Sequence, residues 1–204
     1  MINLGVLISG HGTNLQSIID AVKAGKLNCE IKVVISNRKD AYGLERANIN
    51  KIPAIYISPK NKSDEEFDEL VLKILEEHNV DIVVLAGYLK ILTSKFIRKY
   101  ENKIINIHPA LLPAFGGKGY YGEHVHEAVL KAGCKVSGCT VHFVTEDIDG
   151  GPIIAQTAVN VLDTDTPKSL AERILPYEHE TLIFALKNIT EKKYIINGKR
   201  VIFL

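Results

Sequence analysis

The sequence K-I-I-N-I-H-P-A-L-L-P occupies residues 103–113. Its apolar run, residues 104–107, reads as the end of a buried strand. Asn106 and His108 stand two positions apart, so both side chains fall on one face of that strand. Pro109 biases His108 toward extended backbone, and Pro113 keeps the next residues out of a helix. An amide and an imidazole therefore leave a strand end together, toward the crevice where open α/β sheets bind ligands. The amide N–H can stabilise a developing oxyanion, and the imidazole can carry a proton near neutral pH. The alternative is a buried Asn and His satisfied by backbone groups.

Upstream, strands alternate with helices. Residues 81–86, D-I-V-V-L-A, form a continuous apolar run, the mark of a strand buried on both faces. Before it, S-D-E-E at 63–66 has capping-box spacing and opens a helix whose apolar face is Phe67, Leu70, Val71, Ile74 and Leu75. Strands are expected at 31–36 and 54–57, with a short helix at 44–50 between them. The first strand, residues 4–9, runs into G-H-G-T-N. Leu15, Ile18, Ile19 and Val22 then make an amphipathic helix, with Thr13 and Gln16 at capping-box spacing. Gly10 and Gly12 let backbone N–H groups approach a ligand, and a helix N-terminus favours an anion. A phosphate suits this turn, and His11 could approach it. The full G-x-G-x-x-G and a Walker Lys are missing, which argues against a dinucleotide or nucleoside triphosphate. An ordinary strand-to-helix turn is the alternative.

This alternation predicts an α/β fold with a mostly parallel, doubly wound sheet. Right-handed crossovers would put the loops at 10–14, 87–92 and 106–113 on one edge.

Downstream, A-F-G-G-K-G-Y-Y-G at 114–122 reads as a mobile loop of the kind that covers sites. A helix is expected at 123–132, then two strands at 136–145 and 153–161. Asp149-Gly150 between them is a hairpin signal, so an antiparallel hairpin is expected in the C-terminal half. Asp149 is either a turn residue or a carboxylate that orients an imidazole. Thr166 as N-cap and Pro167 at the first helical position open the last helix, with Leu170, Ile174 and Tyr177 on its early apolar face. Pro176 is expected to kink or divide it. The whole reads as one domain, 1–204, with halves at 1–100 and 101–204.

The composition is 46% hydrophobic and 24% charged, as in globular proteins. A net charge of +1 gives no bulk electrostatic case for nucleic acid or a membrane surface. No apolar run approaches a membrane span, and the start lacks the basic and small-residue features of a signal peptide, so a cytoplasmic location is expected. Cys29, Cys134 and Cys139 form no C-x-x-C and read as reduced thiols, with Cys139 packed in a strand. His124 and His126 lack a third clustered ligand, so no metal is expected. His142, on a strand seven residues before Asp149, reads as core packing or as packing behind the site residues.

The stretches L-I-S-G-H-G-T-N-L-Q, V-V-I-S-N-R-K-D-A-Y-G-L-E-R-A, L-A-G-Y-L-K-I-L, I-N-I-H-P-A-L-L-P and T-V-H-F-V-T-E-D-I-D-G-G-P-I closely resemble the phosphoribosylglycinamide formyltransferases of purine biosynthesis. The resemblance runs from about residue 3 to 190. N-x-H-P-x-L-L-P and D-G-G-P are shared among folate-dependent formyltransferases; the S-N-R-x-D-A-x-G-L-E-R-A stretch and the G-x-G-T-N turn point to this branch.

The resemblance implies a Rossmann-like formyltransferase fold and formyl transfer from 10-formyltetrahydrofolate, as co-substrate, to the amine of glycinamide ribonucleotide. It implies Asn106, His108 and Asp149 as catalytic residues. Gly12, Thr13, Asn14 and Glu178 would bind the ribonucleotide phosphate and glycinamide. Leu89, Lys90, Ile91, Leu92 and Val144, with Asn106 and Asp149, would bind the folate. The expected partners are these two small molecules, without nucleic acid or membrane, for a monomer or homodimer. Members often carry Met-Arg at Leu89-Lys90, and many carry Arg at Asp64, so Lys60 or Lys62 would have to supply the lost charge. The 116–122 loop is longer than in some members.

The rival readings are a formyltetrahydrofolate deformylase, a methionyl-tRNA formyltransferase and a non-catalytic folate- or nucleotide-binding module. The first two are expected to carry an additional domain. The third has no need of a proton-carrying trio.

Overall fold

The structure, a computed structural model, describes residues 1–204. The chain divides into two compact units, Met1–Ile105 and Asn106–Leu204.

The first unit alternates as expected: β1 (Ile2–Ile8), α1 (Thr13–Lys23), β2 (Cys29–Ser36), α2 (Tyr42–Ile49), β3 (Ala54–Tyr56), α3 (Asp64–Glu77), β4 (Ile82–Leu85) and α4 (Ser94–Lys99). The strand order is β3-β2-β1-β4, and every pair is parallel. The chain winds outward from β1 to β3, then returns to the other side of β1 with β4. That reversal is a topological switch point, and it opens a crevice at the strand C-termini. The loops after β1 and β4 meet there. Ser9 N donates to Gly87 O at 3.1 Å, and Leu89 N donates to Ser9 Oγ at 2.9 Å. Residues of β4 are buried throughout, as its unbroken apolar run requires.

Helix α3 begins with the expected capping box: Glu66 N donates to Ser63 Oγ at 3.1 Å, and Ser63 N donates to the Glu66 carboxylate at 2.8 Å. Phe67, Val71 and Leu75 are buried on its inner face, whereas Leu70 is exposed and Leu72 is buried instead. The box expected at Thr13 and Gln16 does not form. Gly12 is the N-cap residue of α1, in the left-handed region at φ 70°, and no side chain caps the helix. The Gln16 side chain is committed elsewhere, to Asp20 and Arg46. Helix α4 went unread in the sequence. Thr93 caps it, accepting from Phe96 N at 3.3 Å, and the buried Asp68 accepts Thr93 N at 2.7 Å.

The unit boundary falls within β5 (Ile104–His108). The second unit continues with α5 (Glu123–Lys131), β6 (Val136–Phe143), β7 (Ile153–Asn160), α6 (Pro167–Glu191), β8 (Tyr194–Asn197) and β9 (Arg200–Phe203). Its strand order is β5-β6-β7-β9-β8. β6 and β7 pair antiparallel, as do β8 and β9, while β9 lies parallel to β7. Helix α6 packs on β6, β7 and α5, so β6 is buried from Ser137 onward. Thr166 and Pro167 open α6 as expected, with Ser169 N donating to Thr166 Oγ1 at 3.1 Å.

Three readings of this unit change. Pro176 does not divide α6, which runs unbroken for 25 residues; the packed inner face outweighs one missing backbone bond. Tyr177 is 40% exposed rather than on the buried face. Asp149-Gly150 is not a tight hairpin turn, because β6 ends at Phe143 and residues 144–152 form a longer loop. Gly150 N closes a turn on Asp147 O, and a Cβ at Gly151 would lie 1.8 Å from Phe143 O, so the loop folds back against its own strand. The tight turn lies instead at Gly198-Lys199, between the paired Asn197 and Arg200. No helix is long and apolar enough to cross a membrane.

Candidate active site

Four side chains of the second unit converge where β5, β6 and the 144–152 loop end. His108 and His142 are buried, at 4% and 1% exposure, and Asn106 is half-buried. His142 Nδ1 lies 2.9 Å from Phe143 O. A carbonyl only accepts, so Nδ1 carries the hydrogen and the neutral ring leaves Nε2 as an acceptor. Asn106 Nδ2 lies 3.1 Å from that Nε2 and donates to it. The contact fixes which way the Asn106 amide faces. It uses one of the two amide N–H bonds and leaves the second for a ligand. Burial, the largest influence, holds the His142 imidazole below its usual range and keeps it in this neutral form.

The Asp149 carboxylate lies between the two imidazoles. Its Oδ2 is 3.7 Å from His108 Nδ1, and its Oδ1 is 3.7 Å from His142 Nε2. Both separations are longer than direct hydrogen bonds, and with His142 neutral only the His108 contact can be an ion pair. Gly117 N donates to Asp149 Oδ2 at 2.9 Å, and His108 Nε2–H donates to Phe115 O at 2.7 Å. The glycine-rich loop thus touches both ends of the His108–Asp149 pair. The chain after His108 is held by Thr140, whose hydroxyl donates to Ala110 O at 2.6 Å and accepts Leu112 N at 3.0 Å. Gln156 Nε2 adds a bond to Leu112 O at 2.9 Å.

The resemblance implies Asn106, His108 and Asp149 as one set, and the structure brings His142 to them as the support of the Asn106 amide. The signal for His142 was present: it alternates with Thr140 on β6, so the two share the face turned to the β5 end. His124 and His126 face differently. His124 is exposed beside Glu127, whereas His126 is 3% exposed. Val144 is half-buried at the start of the loop. Glu178 is half-buried on α6; burial, with the Glu178 charge nearby, pushes the Cys139 thiol up to about 11. Cys139 donates to Thr181 and is packed, as its strand position predicts.

Of the expected ligand residues in the first unit, Gly12, Thr13 and Asn14 begin α1 at the switch point. In the 87–92 loop Leu89 and Ile91 are exposed, and Leu92 is buried. Lys90 is ion-paired with Asp64 and lies 5.2 Å over the Phe67 ring. The Asp64 carboxylate therefore binds the cation of this loop instead of presenting one.

His126, His142 and His179 are all held below the usual imidazole value of 6.5 by burial. Unfolding frees them to take protons at ordinary values, so below that pH the unfolded chain binds more protons than the folded one. Stability should fall as pH drops from about 7 to about 5. Melting temperature against pH checks this, and His126→Gln should flatten the slope. A melting temperature constant across that window would contradict the burial argument.

Residues 2–186 match the formyl transferase family. The chain is 42% identical over 193 residues to the chloroplastic phosphoribosylglycinamide formyltransferase of Arabidopsis thaliana, covering 93% of this chain but only 66% of that protein's length. It is 42% identical to the phosphoribosylglycinamide formyltransferase of Haemophilus influenzae, covering 94% of this chain and 88% of that one. The crystal structure of glycinamide ribonucleotide transformylase 1 from Symbiobacterium toebii is similar at a TM-score of 0.95 and 45% identity, over 100% of this chain and 94% of that chain.

Proposed function

The chain belongs to the formyl transferase family, and on that premise we propose that it moves a formyl group from 10-formyltetrahydrofolate to the amine of glycinamide ribonucleotide. The observation that carries the reading is the cluster of Asn106, His108, His142 and Asp149 in the second unit.

In this reading the substrate amine attacks the formyl carbon, a C–N bond forms, and the carbonyl oxygen becomes an oxyanion. The free Asn106 N–H and the His108 imidazolium donate to it. The Nε2–H that Phe115 O accepts in this structure is the donor that turns to the oxyanion. Asp149 is the counter-charge of the imidazolium and accepts the proton lost by the attacking amine. The bond from the formyl carbon to the folate nitrogen then breaks, and that nitrogen takes up the proton Asp149 accepted, which returns the carboxylate to its charged form. His142 has no part in proton transfer; it takes one Asn106 N–H and so holds the amide with its second N–H toward the reaction.

Gly12, Thr13 and Asn14 would hold the ribonucleotide phosphate at the start of α1, and Glu178 the glycinamide end. Leu89, Lys90, Ile91, Leu92 and Val144 would line the folate site. The reading carries with it a cytoplasmic location and no nucleic-acid or membrane partner, for a monomer or homodimer. The net charge of +1 agrees with small-molecule partners.

The test is to incubate the protein with 10-formyltetrahydrofolate, with and without glycinamide ribonucleotide. Formyl-ribonucleotide and tetrahydrofolate should accumulate only when both substrates are present. Free formate released without the ribonucleotide would make the protein a deformylase instead.

A second test concerns the phosphate turn. Gly12→Ala places a Cβ 2.7 Å from the Gly43 Cα at a residue with φ 70°. It should weaken ribonucleotide binding about tenfold or more while folate affinity stays within about twofold, a difference of over about 1 kcal/mol. Equal loss of both ligands, measured by calorimetry, would make the turn a folding element only.

A further inference from the structure

In the first unit, three successive carbonyls of the turn after β1 are tied back. Gly43 N donates to Gly10 O at 3.1 Å, and Gln16 N donates to Gly12 O at 2.9 Å. The middle carbonyl, of His11, is held by a side chain: Arg46 Nε donates to it at 2.8 Å. These peptides are trans, and in a trans peptide the N–H points opposite to the C=O. The N–H bonds of His11, Gly12 and Thr13 therefore turn away from the groups that hold the carbonyls. Three consecutive N–H bonds at the start of a helix are thereby each turned from the partner of their own carbonyl, the arrangement in which backbone donors can serve an anion.

Arg46 is itself fixed. Its Nη1 donates to Gln16 Oε1 at 3.2 Å, and its Cζ lies 5.0 Å from the Tyr42 ring centroid. The start of α2 is pressed directly on the turn, since a Cβ at Gly43 would lie 3.3 Å from Gly12 Cα and 3.5 Å from Gly10 O. The guanidinium reaches His11 O and Gln16 Oε1 from two different nitrogens, Nε and Nη1, fixed in one plane; a lysine ammonium donates from a single nitrogen and has no planar fork.

We propose that Arg46 is a positioning residue for anion binding: it clamps the His11 carbonyl so that the turn's N–H bonds stay aimed at the phosphate of the ribonucleotide. This rests on the reading of that turn as the phosphate site. Without the clamp the His11–Gly12 peptide is free to flip, and one donor is replaced by a carbonyl that repels the anion.

The experiment compares Arg46→Met, Arg46→Lys and Gln16→Met with the parent protein. Calorimetry measures the affinity for glycinamide ribonucleotide, for the riboside lacking the phosphate, and for the folate donor. Arg46→Met should weaken ribonucleotide binding about tenfold or more and raise its KM with kcat little changed. Arg46→Lys should fall between, and Gln16→Met should lose roughly threefold because the guanidinium keeps its charge but loses an anchor. Riboside and folate affinities should stay within about twofold.

Ribonucleotide affinity unchanged in Arg46→Met overturns the clamp. So does a loss in Arg46→Met with none in Gln16→Met, because a bare charge would then account for it. If Arg46→Met does not fold, parental affinity in both other variants overturns it equally. If the parent protein binds ribonucleotide and riboside alike, the phosphate reading itself fails. A parent with a clear phosphate preference that Arg46→Met retains is failure of the clamp alone.

Discussion

Asp149→Asn should lower turnover by about 10²-fold or more while binding of both substrates survives. The substitution is nearly isosteric, and an Asn oxygen still accepts Gly117 N. Asp149 has φ 54°, a conformation Asn tolerates well, so the 144–152 loop keeps its path. What disappears is the negative charge between His108 and His142. The imidazolium then lacks its counter-charge, and the attacking amine lacks its proton acceptor. Steady-state kcat, with calorimetric affinities for each substrate, checks this. Near-parental turnover would reduce Asp149 to a loop residue.

His108→Ala should be at least as damaging. It removes the proton carrier and one oxyanion donor, each worth about 10²-fold in comparable sites. The two losses belong to one side chain acting in one step, so they need not multiply. The substitution also takes away the donor to Phe115 O, and with it a tie to the glycine-rich loop. Folate affinity and melting temperature, measured beside single-turnover rates, separate the chemical loss from a loosened loop. A rate close to the parent's would remove His108 from the mechanism.

Much of this was legible because it depended on short spacings. Asn106 and His108 sit two apart on a strand, and the apolar run around them is buried as its composition demands. Ser63 with Glu66, and Thr166 with Pro167, mark helix starts through chemistry confined to one turn. The alternation of strands and helices up to β4 predicts the parallel pairing of the first unit, though not its strand order.

The misreadings are of another kind. Thr13 and Gln16 have the right spacing for a cap, but the Gln16 amide is drawn away by Arg46, thirty positions further on. Asp149-Gly150 has hairpin chemistry, yet the strand before it stops at Phe143, where the fold-back of Gly151 onto the Phe143 carbonyl takes over. Pro176 breaks an isolated helix, but α6 is held along its length by α5, β6 and β7. For His142 the sequence left core packing and support of the site both open, and the choice depends on Asn106, a partner on another strand. Except for the fold-back of Gly151, each of these was decided by a residue distant in sequence.

The central claim is that Asn106 and His108 serve one oxyanion as a single unit. A double-mutant cycle on the chemical step tests it most directly. Single-turnover rates are measured for the parent protein, Asn106→Ala, His108→Ala and the double variant. Asn106→Ala should cost a factor similar to His108→Ala, about 10²-fold, and the double variant should be little slower than the slower single variant. A double variant that loses the full product of the two single losses would show the residues acting independently and would contradict the shared-oxyanion mechanism.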